Sequence, residues 1–268
     1  MSEIQIETII KVIQLKNQQY QLVFDSGRKL IVFESVLIKE QLLKGTQMTA
    51  NFIQKVEQEM QLERNYQLAL NYLSYQMRTM KEVQQYLTQR EVPVEMQRVI
   101  MQKLQAQHFV DDLNYAKQYV AMQKRTQDQG PMQIKNKLLQ KGVDLNFIEE
   151  ALQDFDDESL YHNALAVARK TQKKYHNKTI KEAKNKITQR LLTKGYPLSL
   201  AKQVVDELEF TIDLETEWEM LVKYGDKLWK KYSKYDDYKR QEKVKQSLYQ
   251  KGYSYDLIVE FIDLKNDL

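Results

Sequence analysis

The sequence predicts a mainly α protein: an elongated, curved array of about four tandem three-helix repeats, preceded by a small strand-rich N-terminal domain with a packed helix. Three observations predict it. A short leucine-rich segment ending in a Lys-Gly corner recurs along the 268 residues. Apolar residues on both sides of each corner fall at helical spacing. Near the N-terminus, apolar and polar residues alternate instead, which is the period of a half-buried strand.

The strands come first. Ile10 and Val12 alternate with polar neighbours, as do Tyr20, Leu22 and Phe24, and then Leu30 and Val32. Asn17-Gln18 and Asp25-Ser26-Gly27-Arg28 read as the two turns, with Gly27 free to take positive φ. A three-stranded meander is too small to be stable alone and needs a helix to cover it. Residues 34–44 supply one: Val36, Leu37, Leu42 and Leu43 make an apolar face, and Gly45 is a stop signal. A long helix over residues 49–77 joins this part to the repeats.

The repeat is read from four aligned segments. They begin at Leu87, Leu138, Leu191 and Leu248 and end at Arg90-Glu91, Lys141-Gly142, Lys194-Gly195 and Lys251-Gly252, with spacings of 51, 53 and 57 residues. A period of that length marks a repeat architecture. Val83, Ile134, Ile187 and Val244 precede the leucines by four residues, on the same helix face. After the corners, Ile100, Ala151, Val204 and Phe261 continue the apolar stripe of a third helix.

Punctuation is equally regular. Lysine suits the negative end of a helix dipole, and glycine can take the left-handed conformation that closes a helix. Pro93, Asp144, Pro197 and Ser254 stand where third helices start. Thr79 with Glu82, and Thr179 with Glu182, read as capping boxes. Acidic breaks at Asp111-Asp112, Asp156-Asp157 and Asp213 precede first helices. The expected division is residues 1–60 for the strand-rich domain and 61–107, 108–155, 156–210 and 211–268 for the repeats. Glu91 replaces glycine in the first repeat, so a different turn is expected there.

The net charge of +4 conceals segregation. Residues 144–160 carry seven acids and no base, residues 169–194 ten bases and one acid, residues 203–222 seven acids and no base, and residues 223–251 ten bases and four acids. Acids in first turns and bases in last turns produce such blocks, and so does a row of basic stripes facing an anionic partner. Residues 1–65 are balanced, with eight charges of each sign.

No catalytic or cofactor chemistry is expected. The seven glycines are isolated, so no phosphate-cradling loop can be built from them. His108, His162 and His176 lack partners at metal-ligand spacing. The paired aspartates sit where caps belong. Ser199 and Lys202 match a Ser-x-x-Lys pattern, but the other repeats lack both and the companion motifs are absent. Trp218 and Trp229 lie about three helical turns apart, on one face, which suits packing. There is no cysteine, in keeping with a reducing cytoplasm. Met1-Ser2-Glu3 lacks a secretory pattern, and no apolar run suits a membrane span.

The stretch from Ala69 through Tyr72, Arg78, Thr79 and Glu82 to Val83 resembles the start of the bacterial RecX proteins. So does Phe109-Val110-Asp111-Asp112 with Tyr115 and Ala116, followed by Lys124-Arg125, Gly130, Ile134, Leu138 and Lys141-Gly142. The strand-rich extension and the fourth helical unit resemble the longer members from Gram-positive bacteria. The resemblance implies a non-enzymatic regulator of homologous recombination, DNA repair and the SOS response. Its expected partner is the filament of RecA recombinase on single-stranded DNA, with double-stranded DNA as a further candidate. A monomer would lie in the filament groove and block strand exchange and related ATP-dependent reactions. The contact face would include Arg78, Lys124, Arg125, Lys135, Lys137 and Lys141, extended by Lys173, Lys174, Lys181, Lys184 and Lys186. Charge reversal at Lys135 with Lys141 is expected to weaken filament binding while sparing thermal stability. The alternatives are a general DNA-binding helical-repeat protein and a protein–protein scaffold, both acting without RecA.

Overall fold

The computed structural model describes residues 6–126 and 129–266; Met1, Ser2 and Glu3, on which the leader reading rests, lie outside them. Alternating apolar residues make β1 (Ile6–Gln14), β2 (Gln19–Phe24) and β3 (Lys29–Phe33), an antiparallel meander. Both expected turns form, and Asn17 and Gln18 take φ values of 57° and 55°. The register slips between Ile9 and Lys11. This bulge puts Ile9 in the core and leaves Ile10 half exposed, the reverse of the phase that Ile10 suggested. Two adjacent isoleucines satisfy either phase, so the pattern alone was ambiguous.

The covering helix α1 (Glu34–Lys39) is shorter than expected, because Gln41 turns left-handed at φ 49°. The chain then adds β4 (Gln47–Thr49), which pairs with β1 through Ile6↔Thr49 and gives the strand order β3-β2-β1-β4. Three residues carry too little periodicity to be read as a strand. Thr49 caps α2 (Ala50–Ser74) by accepting from the Phe52 N–H. This unbroken helix serves two cores. Ile53, Val56 and Met60 pack with Ile9, Leu22, Phe24 and Val32; Tyr66 and Ala69 pack with Val83, Leu87, Ile100 and Leu104.

The first repeat combines α2 with α3 (Met80–Gln89) and α4 (Val94–Ala106). The second contains α5 (Asp112–Thr126), α6 (Pro131–Gln140) and α7 (Leu145–Leu152). The third contains α8 (Asp157–Gln172), α9 (Ile180–Thr193) and α10 (Leu198–Asp206). The fourth contains α11 (Leu214–Lys231), α12 (Asp237–Lys251) and α13 (Tyr255–Asn266). In each, the aligned apolar residues are the core: Ile134, Leu138, Ile148 and Ala151 are fully buried, and so are Ile187, Leu191 and Val204, and Val244, Leu248 and Phe261. Trp218 and Trp229 pack on the fourth core.

Helix ends follow the expected chemistry. Asp111, Asp156 and Asp213 accept from the N–H groups of Asn114, Ser159 and Thr216, and Asp144 from that of Asn146. Thr79 forms a complete capping box with Glu82. Thr179 accepts from the Glu182 N–H, but Glu182 turns its carboxylate to Lys251, so only half of that box is made. Glu91 overturns one expectation. It takes the same left-handed turn as the glycines, at φ 58° beside 82°, 87° and 103° for Gly142, Gly195 and Gly252. Val92 donates to the Leu87 carbonyl just as Tyr196 donates to Leu191 and Tyr253 to Leu248.

Candidate functional site

The corners do more than end helices. The Thr79 hydroxyl, fully buried, donates to the Lys141 carbonyl at 2.8 Å, and the Lys141 ammonium meets Glu82 at 2.6 Å. The Thr179 hydroxyl donates to the Lys251 carbonyl at 2.6 Å, and Lys251 meets Glu182 at 3.1 Å. A third joint is made of backbone: Gly130 N–H to the Lys194 carbonyl at 2.7 Å, and Met132 N–H to the Gly195 carbonyl at 3.1 Å. Each joint sets the C-terminal corner of one second helix on the N-terminus of the second helix before it. The free carbonyls of one end thus satisfy donors at the other.

Close approach explains the glycines. A Cβ on Gly142 would lie 2.5 Å from the Lys81 side chain, one on Gly195 2.3 Å from the Gln133 nitrogen, and one on Gly252 2.6 Å from Lys181. The Glu91 corner closes the first of these second helices, so the tolerance of a side chain there follows.

Charge tunes the first joint. Burial pushes the Glu82 carboxyl up, but the bonds from Lys141 and the Thr79 N–H, with the Lys141 and Arg78 charges, outweigh it and hold the group below its usual value. Burial likewise opposes the Lys141 charge, yet Glu82 and Tyr115 raise its pKa on balance. Burial pushes Asp112 up; its Oδ1 accepts from the Met80 N–H at 2.8 Å, which partly offsets that.

The expected contact residues fall into two groups. Five are engaged within the fold. Lys141 belongs to the joint just described, so the double reversal with Lys135 would break a structural bond and cannot spare stability. Lys135 meets Glu149 at 3.2 Å and Lys184 meets Asp206 at 3.3 Å. Lys124, on a first helix, bonds Asp156 and the Asp154 carbonyl; its hydrogen bond holds the Asp156 carboxyl far below the usual range. Arg78 lies over Tyr72, 4.6 Å from the ring centroid. The other six, Arg125, Lys137, Lys173, Lys174, Lys181 and Lys186, are exposed, with no ion-pair partner among the described residues. Many basic residues of the blocks occupy last helical turns, as Arg169, Lys170, Arg190, Lys230, Lys231 and Lys251 do, so the dipole reading accounts for part of the segregation.

Sequence reasoning missed an aromatic stack. Tyr72 and Tyr86 lie parallel, 4.1 Å apart and tilted by 1°, with Arg78 over one ring and Arg90 over the other. The residues come from two helices, so no local spacing announces them. Arg240 over Trp229, at 4.2 Å, repeats the motif in the fourth repeat. Ser199 and Lys202 are exposed on α10, and among the described residues no cluster of His, Asp and Glu could hold a metal. No described helix is long and apolar enough to cross a membrane.

Comparisons with known proteins agree with this architecture. Models of the first and second three-helix domains of RecX match residues 66–107 and 111–152. The model of the third matches twice, at 157–205 and 215–262. That double match fits the longer α9 and α12, of 14 and 15 residues against 10 in α3 and α6. The regulatory protein RecX of Enterococcus faecalis is 35% identical over 96% of this chain and 97% of its own. That of Levilactobacillus brevis is 35% identical over 93% and 94%. A crystal structure of regulatory protein RecX superposes with a TM-score of 0.70 at 33% identity, covering 75% of this chain and all of the other. RecX from Lactobacillus salivarius gives 0.52 at 36% identity over 55% and 96%. With three-helix domains matched in order and relatives alike along nearly their whole length, the chain belongs to the RecX family of regulatory proteins.

Proposed function

We propose that this protein restrains the RecA recombinase by binding along the groove of its filament on single-stranded DNA, blocking strand exchange and the ATP-dependent reactions that accompany it. The observation that carries the reading is the recurrence on successive repeats of exposed cations with no ion-pair partner among the described residues: Arg125 and Lys137 in the second, Lys173, Lys174, Lys181 and Lys186 in the third. A helical filament presents the same acidic and phosphate groups at regular intervals. Repeated cations on jointed helices can meet several of them at once, and tethered contacts multiply in effect. Single-stranded DNA is the primary nucleic-acid partner in this reading, and double-stranded DNA a secondary one.

The test is RecA-driven strand exchange and DNA-dependent ATP hydrolysis with and without the purified protein. Inhibition at protein concentrations below that of the recombinase supports the reading. Unchanged exchange and hydrolysis at excess protein would overturn it. Binding to naked DNA as strong as to the filament would favour a general nucleic-acid-binding protein instead.

A further inference from the structure

The most basic stretch of the chain, residues 169–194, is folded around a small concavity. Thr126 at the end of α5, Lys170, Thr171 and Lys174 at the end of α8, and Arg190 and Lys194 at the end of α9 line a space of about 160 Å³. Among the described residues, no carboxylate lines it. The volume is well below the roughly 300–1,000 Å³ of pockets that enclose organic ligands, so a compact group fits it best.

Helix ends could explain cations here without any ligand. The C-termini of α8 and α9 each carry about half a negative charge. Lys194 has another interaction within the fold. Lys170, Lys174 and Arg190 remain, all exposed and without an ion-pair partner among the described residues. Three positive charges against about one negative leave an excess of roughly two. Part of that negative end is already satisfied, since the Lys194 carbonyl accepts from Gly130 and the Arg169 and Thr171 carbonyls accept from the Lys173 and Lys174 N–H groups. An excess of about two positive charges in a concave site is matched by one phosphate dianion or two phosphodiesters.

We propose that this concavity binds phosphate groups, with Lys170, Lys174 and Arg190 as the charged contacts. The arginine offers a planar fork suited to two phosphate oxygens, and the lysines act as point charges. The phosphates come either from a nucleic-acid strand or from a free phosphate compound. The first source deepens the reading above; the second is independent of it.

The test uses the full chain and a Lys170→Gln, Arg190→Gln double variant, without recombinase. One arm follows a labelled fifteen-nucleotide thymidine strand by fluorescence anisotropy across a salt series. The other follows thermal stabilisation by inorganic pyrophosphate. Loss of two strand contacts lowers the log–log salt slope by about 1.4, at roughly 0.7 per contact. A reduced slope assigns the strand as source, and a pyrophosphate shift lost in the variant assigns a free phosphate. An unchanged slope together with a pyrophosphate response that is absent or equal in both proteins overturns the proposal. Should the double variant melt early, Lys174→Gln serves instead, with a slope change of about 0.7. Recombinase takes no part in either arm, so failure here leaves the filament reading standing, and the reverse also holds.

Discussion

The Thr179 hydroxyl donates to the Lys251 carbonyl at 2.6 Å, across 72 residues of sequence, while its oxygen accepts from the Glu182 N–H three residues away. One buried atom therefore caps its own helix and holds the end of another. Replacing it with Val keeps the shape and removes both bonds. Thr179→Val is expected to lower stability by about 2 kcal/mol, a cap plus a buried hydrogen bond. Chemical denaturation measures this, and a variant as stable as the parent would show that the joint is idle.

Glycine substitutions separate conformation from crowding. Gly27 has φ +85° with open space around it, whereas Gly195 has φ +87° with the Gln133 backbone against it. Gly27→Ala is expected to cost about 1 kcal/mol from the left-handed backbone alone. Gly195→Ala should cost at least twice that, because a neighbouring backbone must move. Equal midpoint shifts in denaturant would contradict the close-approach argument.

The Glu91 turn offers the opposite change. A non-glycine residue at φ 58° is strained, and nothing in the joints requires a side chain there. Glu91→Gly is expected to stabilise the protein by about 0.5–1 kcal/mol, after the added freedom of the unfolded chain is subtracted. A destabilised variant would mean that the carboxylate makes a compensating interaction.

The first joint should respond to pH at both extremes. Glu82 is held below its ordinary value of 4.5, so its contribution is present above that value and fades as pH falls through the lowered one. Lys141 is raised above 10.5, so its contribution holds below that value and is lost as pH rises through the raised one. The stability gap between parent and Glu82→Gln should be widest near neutrality and narrow below pH 4.5. Urea titrations at several pH values test this; a gap independent of pH would exclude the ion pair as its source.

Charge reversal at exposed cations should separate function from fold. Lys137→Glu with Lys186→Glu touches no ion pair among the described residues, so the melting temperature should stay within about 2 °C, a surface-substitution effect. Filament binding should weaken and become less sensitive to salt. Full inhibition of strand exchange by this variant would remove both residues from the contact face.

The helices and their ends were legible because their determinants are local: leucines four residues from Val or Ile, a Lys-Gly stop, an aspartate cap. The joints were not, since Thr79 and Lys141 lie 62 residues apart and neither looks unusual by itself. For the same reason, counting lysines overstated the free positive surface. Glu149 and Asp206 reach Lys135 and Lys184 only after the chain folds. β4 escaped because its partner strand, not its own pattern, makes it a strand.

The last second helix begins differently from the others. Its cap is Asp236, whose carboxylate accepts from the Lys239 N–H. Thr79 and Thr179 give a hydroxyl proton to an arriving corner, and Gly130 an N–H; a carboxylate holds only lone pairs toward an oncoming carbonyl. Glu91 carries the bulk that the Gly142, Gly195 and Gly252 corners exclude. The start of α12 offers a further Lys-Gly corner no hydroxyl proton, so a three-helix block appended after α13 should stay undocked.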